Sequence, residues 1–509
     1  MYNTYILKLR KDKMTKAATE KKSKIKTGPY DSLRDYMDAI EAHGNVIRID
    51  KIDQDNYELT GLMYKLIDKH GWRGAPALIV DKVKVSGEWM EGPIIVNQYG
   101  MGAHEAIAVG VDIEHLEEGL HIENYKKALQ KMIDMGEIKP LKTNEIKRED
   151  APSKEIVIEG DDINVLDFPF LQSNPADNGR FINTGNLVLV DPEMGKNVGT
   201  YRMQIKGPRK IGINPERNQD GWKFLMAKRE RGEEVAEAAV VLGTDPIIFA
   251  MSSSKTARTG QDELEIAGGF KGKAVDVVKC ENSELLVPAN VEMIIEGEIP
   301  LNDMEKEGPF GEMYGYMGLP HEEQFYMNIK TITHRKKPLI VNQFTGVTRG
   351  FVTSPGEAAS LRGFSKFMPE LTGFTIPINH VGFIFISIDK TKPHQAIEVA
   401  EKFNFLPIGK IVIVVDKDVD IHNTTEVFST VGARWQPYPG AKIIEEGPGF
   451  FLDPSAKTRG KSSKIIIDAT RQLPEENGPS PYPKLNREHL VEHDPEIFDL
   501  VKEKWGHLL

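Results

Sequence analysis

The chain has 509 residues, 40% of them hydrophobic and 28% charged, with a formal net charge of -11. That length exceeds one ordinary core and calls for roughly two to four domains, while the acidic balance excludes a general nucleic-acid footprint, which needs a basic surface. A single cysteine, Cys280, excludes an intramolecular disulfide and cysteine-based zinc clusters and fits a reducing cytoplasm; no apolar run reaches the length of a membrane span.

Residues 1–28 are lysine-rich, and their apolar piece Tyr5-Ile6-Leu7 is too short for a signal-peptide core. They read as a disordered leader, with an interaction arm as the alternative. Asp31 is placed to cap a helix that carries Leu33, Met37 and Ile40 on one face and ends at Gly44. A strand at 46–49 follows, then a helix with Leu59, Leu62, Met63, Leu66 and Ile67 that Gly71 closes. Strands at 77–80 and 93–97 and helices at 104–109 and 123–135 complete a first α/β domain, residues 29–150.

The middle, residues 151–350, is predicted to be mostly β. A hairpin runs from Asn186-Leu187-Val188-Leu189-Val190 through turn chemistry at 191–196 into a return strand at 198–205. One helix at 219–230 interrupts. Strands are predicted at 238–242, 247–251, 274–280, 290–298, 324–333 and 338–343, which suggests a barrel-like or sandwich sheet. Cys280 ends one of these runs and reads as a buried structural cysteine. Residues 351–509 alternate again, with helices at 357–367, 393–403 and 425–431 and strands at 382–388, 411–415 and 465–467. Gly447-Pro448-Gly449 and the basic segment 455–464 read as a loop suited to a phosphate.

Several constellations carry possible chemistry. In Glu307-Gly308-Pro309-Phe310-Gly311-Glu312 two carboxylates flank a bend that cannot be helical, with Phe310 as a wedge between them. Two acids at one site tend to separate their pKa values, which suits general acid–base work; read alone, the bend is more simply a solvated acidic turn. Ser252-Ser253-Ser254-Lys255-Thr256 after an apolar strand offers hydroxyls and amides to a phosphate, or is a plain polar loop. Glu263 is a hard oxygen ligand if a second oxygen and a phosphate lie near, or helix N-terminal acid placement. Arg202 can hold a carboxylate bidentately, or form a structural ion pair. No Walker or dinucleotide fingerprint is present.

The order of these pieces resembles the UbiD-like decarboxylases. Asn197-Val198-Gly199-Thr200-Tyr201-Arg202-Met203-Gln204 looks like that family's central motif. Asp262-Glu263 before Ala267-Gly268, Val277-Val278-Lys279-Cys280, Val287-Pro288-Ala289, Glu296-Gly297, the Glu307–Glu312 bend and Lys464 before Asp468-Ala469-Thr470 follow in the family's order, over nearly the whole chain after the leader. The resemblance implies a reversible decarboxylase of aromatic or α,β-unsaturated acids using prenylated FMN from a separate flavin prenyltransferase. It also implies a central split β-barrel that binds flavin between two α/β domains, the last (351–509) used in oligomerisation as a homodimer or homohexamer. Arg202, Glu307 and Glu312 match the family's catalytic network, and Asn197 and Glu263 its ligands to a divalent metal, Mn²⁺ or Mg²⁺, that clamps the cofactor phosphate. Tyr201, Ser253, Ser254 and Lys464 fall at cofactor positions.

One departure stands out. Where the family carries a histidine metal ligand, this chain has Asn218. An amide oxygen suits a hard cation better than a transition metal, so Mg²⁺ or a monovalent ion such as K⁺ gains over Mn²⁺. Phe344 to Phe351 and Ile376 to Val381 are expected to line the substrate pocket, with His380 either touching substrate or packed beside a strand. The competing functional readings are a non-catalytic or partner subunit of a multi-subunit aromatic carboxylase, and a plain FMN-binding protein.

Overall fold

The computed structural model describes residues 27–254, 256, 257, 260–348, 350 and 352–508. The expectations for the leader up to Lys26, for Lys255 in the serine run and for Phe351 at the pocket fall outside them. The described residues through Gly363, with Leu452–Ser455, form one compact unit; Phe364–Phe451 and Ala456–Leu509 form a second.

The first unit opens on the helix Leu33–Ala42, which buries Leu33, Tyr36, Met37, Ala39 and Ile40. Ser32, not Asp31, caps it: the Ser32 hydroxyl accepts from Asp35 N at 3.1 Å, while Asp31 pairs with Lys273 at 3.0 Å. Helices at Glu58–His70, Gly102–Ala108 and His121–Asp134 lie where the apolar periodicity places them. The strand Val46–Asp53 runs parallel to Ala77–Val85, which pairs antiparallel with Glu88–Val96. The fourth strand of this sheet is Ile340–Asn342, parallel to Glu88–Val96. The sequence pattern assigns that strand to the central sheet; the structure places it in the first. Local β-propensity cannot tell which sheet a strand joins.

The centre is a closed antiparallel barrel of six strands: β1 Phe181–Asp191, β2 Gly195–Gly207, β3 Lys210–Ile213, β4 Val235–Leu242, β5 Met293–Pro300 and β6 His321–His334. Their order is β5-β4-β1-β2-β3-β6, and β6 pairs back onto β5. Closure removes the sheet edges and decides for the barrel over the sandwich. Leu187, Met203, Phe224, Val240, Ile295 and Phe325 are among the fully buried side chains of its core. The run around Cys280 is not a barrel strand; Asp276–Lys279 belongs to a three-stranded sheet with Leu286–Pro288 and Asn144–Glu145. Cys280 is buried, and burial pushes its thiol up to about 12, as suits a structural cysteine.

Three helices dress the barrel: α1 Asp220–Glu230, α2 Pro246–Ser253 and α3 Glu263–Lys271. The sequence predicts a strand, 247–251, for the segment that forms α2. Every residue from Pro246 to Ser252 is buried, so neither helical nor strand periodicity shows in the sequence. Asp245 decides the matter: its Oδ1 accepts from Ile247 N and Ile248 N at 2.9 and 3.0 Å, with Pro246 at the first helical position. Its other oxygen meets Lys271 Nζ of α3 at 2.7 Å, both side chains being almost fully buried. Asp245→Ala is therefore expected to cost about 3 kcal/mol, since it strips the cap and leaves the buried Lys271 ammonium only its longer contact to Asp31, at 3.6 Å; the fall in thermal midpoint measures it.

The second unit carries a five-stranded sheet in the order Leu371–Thr375, Phe383–Ile388, Ile411–Asp416, Lys461–Asp468, Ala441–Pro448. The three middle strands are parallel and the two outer ones antiparallel. Phe385, Ile413, Val415, Val427 and Ala469 form its core. Gly447 and Pro448, read as loop, end a strand, and the basic segment contributes Lys461–Lys464 to its partner strand. Among the described residues no helix is long and apolar enough to cross a membrane.

Candidate active site

Strand β2 sets the site by alternation. Asn197, Tyr201 and Met203 share one face; Val198, Thr200, Arg202 and Gln204 share the other. Tyr201 and Met203 belong to the barrel core, and the Tyr201 hydroxyl accepts from Gly221 N at 2.9 Å. Arg202 stands on the opposite face with only 12% of its side chain exposed.

The bend after the short strand Glu305–Glu307 brings both predicted acids to Arg202. Arg202 Nε and Nη2 donate to the two oxygens of Glu307, each at 3.0 Å, and Nη1 donates to Glu312 Oε1. Asn214 Nδ2 gives Glu307 a third hydrogen bond at 3.0 Å, and Glu307 is wholly buried. The Phe310 ring lies 5.1 Å from the guanidinium carbon and 4.4 Å from the Phe181 ring, so the expected wedge sits on the arginine it separates from water.

The surrounding chain holds the bend. Gly308 has φ 78°, which a residue with a Cβ adopts only under strain, and its N–H donates to Gln204 Oε1 at 3.1 Å. Asn178 N donates to Pro309 O at 2.9 Å, and Gly311 N donates to Asp177 Oδ1 at 2.9 Å. Electrostatics follow from this burial. Desolvation works against the Arg202 charge, yet Glu312 and Glu307 together hold its pKa above the ordinary value. Burial pushes the Glu312 carboxyl up, with Arg202 pulling the other way and Glu216 and Glu307 adding to the rise. Burial also raises Asp177.

A second cluster lies along the same strand. Glu263 opens α3, which Asp262 caps, and its Oε2 accepts from Val198 N at 2.9 Å. Burial pushes Glu263 up to about 7, with Asp262 and Asp220 contributing. The Asn197 side chain is buried and lies within reach of the Tyr201 hydroxyl. Ser253, at the end of α2, shares a hydrogen bond with Thr200 Oγ1 at 2.9 Å, and Ser254 shares one with Thr256 at 2.9 Å. Asn186 Nδ2 reaches both Thr200 Oγ1 and Ser252 Oγ, at 2.7 and 2.8 Å.

Comparison with known proteins gives the family. Residues 144–348 match the 3-octaprenyl-4-hydroxybenzoate carboxy-lyase Rift-related domain, and residues 351–469 the C-terminal domain of the same carboxy-lyases. A phenolic acid decarboxylase of Sedimentibacter hydroxybenzoicus is 30% identical over 467 residues, covering 88% of this chain and 93% of the relative. The chain belongs to the UbiD family. Among solved structures, the closed form of the vanillic acid decarboxylase of Sedimentibacter hydroxybenzoicus superposes with a TM-score of 0.77 at 28% identity, over 92% of this chain and 99% of that one. The UbiD-class enzyme HmfF of Pelotomaculum thermopropionicum, solved with FMN, gives 0.75 at 26% identity, over 89% and 97%; an evolved dimeric form of HmfF was solved with prFMN.

As a UbiD enzyme the protein is a carboxy-lyase, and its remaining predicted site residues can be placed. Asn218 is exposed on the turn before α1. Lys464 lies in the second unit, where its ammonium donates to Asn404 O and Leu406 O at 2.7 and 2.8 Å and burial lowers its pKa to about 8. His380, also in the second unit, packs between the Phe383 and Phe428 rings, 5.9 and 5.6 Å away. Sequence reading missed Thr200, Asn214 and Asp177. The alternation of β2 puts Thr200 beside Arg202 and would have found it; Asn214 and Asp177 left no local signal.

Proposed function

We propose that this UbiD enzyme reversibly decarboxylates an aromatic or α,β-unsaturated carboxylic acid with prenylated FMN as cofactor. The observation that carries the reading is the buried Glu307–Arg202–Glu312 array. Glu307 accepts three hydrogen bonds and is fixed; Glu312 has one link to Arg202 and a raised pKa. In this reading Arg202 steers the substrate carboxylate, Glu307 anchors Arg202, and Glu312 delivers the proton to the carbon that loses CO₂. The phenolic and vanillic acid decarboxylases among its relatives support an aromatic acid as substrate.

Loss of CO₂ from an sp² carbon leaves an electron pair with no sink, and the electron-poor flavin supplies that sink when bound. The residues present fit such a group. Asn197 offers a buried side-chain carbonyl oxygen, and Glu263, held to Val198 N of the same strand, offers a carboxylate; oxygen donors of this kind suit a cation that clamps a phosphate. Ser253, Ser254 and Thr200 offer hydroxyls on the same strand and helix end. With no imidazole in this set, oxygen donors favour a hard cation such as Mg²⁺.

The test is to co-express the chain with a flavin prenyltransferase under anaerobic conditions, then assay hydroxybenzoates, heteroaromatic acids and acrylic-type acids for CO₂ release. Bound modified flavin and release from at least one aromatic acid are expected. Modified flavin bound with no release from any of these acids would overturn the proposal in favour of a non-catalytic flavoprotein.

A further inference from the structure

The Glu312 carboxyl is closely hemmed in. Arg202 binds it. The backbone of Gly318 also approaches it, so near that a Cβ added there would stand 2.5 Å from Glu312 Oε1, 2.7 Å from Cγ and 3.1 Å from Cδ. The turn that makes this approach is well tied: Glu312 N donates to Tyr316 O at 2.8 Å, Gly318 N to Phe310 O at 2.9 Å, and Gly311 bridges Met317. Gly346 covers the other end of the residue, where a Cβ would come within 2.5 Å of Glu312 O.

The two glycines differ in what they need. Gly346 has φ 79°, so its own backbone favours glycine. Gly318 is not among the positive-φ residues, and an alanine could adopt its backbone. What excludes a side chain at 318 is the acid above it. We propose that Gly318 is a positioning residue for Glu312: the missing side chain leaves the slot in which the carboxyl lies against Arg202. Real side chains do not tolerate a contact of 2.5 Å. Since the turn is hydrogen-bonded on both arms and the Glu312 side chain has free torsions, alanine at 318 forces the carboxyl, by about 1 Å, out of the position in which its Oε1 accepts from Arg202 Nη1. This proposal rests on the reading of Glu312 as proton donor.

The test compares Gly318→Ala, Glu312→Ala and the double variant in the full chain loaded with flavin. Gly318→Ala should lower kcat by about 100-fold, the scale of an ångström's misplacement, with KM and flavin content within about two-fold of the parent. It should lower the thermal midpoint by about 3 °C in the parent and by little in the Glu312→Ala background, where no carboxyl remains to collide. An equal fall in both backgrounds overturns the contact, whether or not the single variant folds well. Coupling in the thermal cycle with unchanged kcat overturns the positioning role. Full activity of Glu312→Ala would instead overturn the proton-donor reading, and the thermal cycle would still report the Gly318 contact by itself.

Discussion

Glu312→Gln is expected to cut CO₂ release, and the exchange of solvent deuterium into product, by about 10²–10⁴-fold, the usual span for loss of a general acid. The fold should survive the change. The carboxamide has the shape of the carboxyl and still offers an oxygen to Arg202 Nη1, so the array keeps its geometry and loses only the transferable proton. Flavin retention should match the parent, because Asn197, Glu263 and Ser253 are untouched. The pH dependence gives an independent check. Burial raises the Glu312 pKa and Arg202 opposes the rise, so the acid keeps its proton above the ordinary glutamate range. Decarboxylation is then fully present below that pKa and lost as pH rises through it, and this limb should vanish in the glutamine variant. Parent-level turnover would sink the assignment.

How much of this could be read from the sequence depends on where the information lies. The hairpin of β1 and β2 announces itself, because alternation and turn residues are local, and alternation alone puts Arg202 and Thr200 on one face. The Glu307–Glu312 bend is also local, since proline and glycine fix its shape. Joining the two is not local: Arg202 lies on barrel strand β2 and Glu307 on the short strand Glu305–Glu307 outside the six, and it is the resemblance to UbiD enzymes that pairs them. Asn214 bonds Glu307, and Asp177 the Gly311 N–H of the bend, each through a single hydrogen bond between segments far apart in the chain. Helix α2 reads as a strand because a wholly buried helix loses its periodicity, and only the cap at Asp245 marks it as a helix. Ile340–Asn342 looks like one more barrel strand until register shows it in the first sheet. The Gly318 slot was invisible, since a glycine in a polar turn gives no hint of which atom it makes room for.

Arg202→Met carries the larger consequence for the folded state. Among the described residues the guanidinium is the one cation that an ion pair places on either acid, and the Glu307 and Glu312 side chains are 0% and 9% exposed. Methionine fills much of the same volume without charge, so two buried carboxyls are left with the Asn214 amide between them and ionisation. Breaking a buried pair in this way costs about 3–5 kcal/mol, more than the intact array contributes, because the penalty is the unpaired charge. The loss should depend on pH in a stated direction. Without Arg202 the buried site relieves itself by taking up protons, which raises the folded-state affinity for them. Stability is then near the parent's at pH values below the ordinary carboxylate range and falls away as pH rises through neutrality. Thermal midpoints of parent and variant at about pH 5 and pH 8 should differ far more at the higher pH. Arg202→Lys should fall between, since an ammonium supplies the charge but not the two-pronged bond to Glu307 together with a third arm to Glu312. Turnover should be lost in both variants, by more in methionine. A methionine variant with a parent-like midpoint at pH 8 would mean that the two acids do not depend on Arg202, and the role assigned to each of them would fall with it.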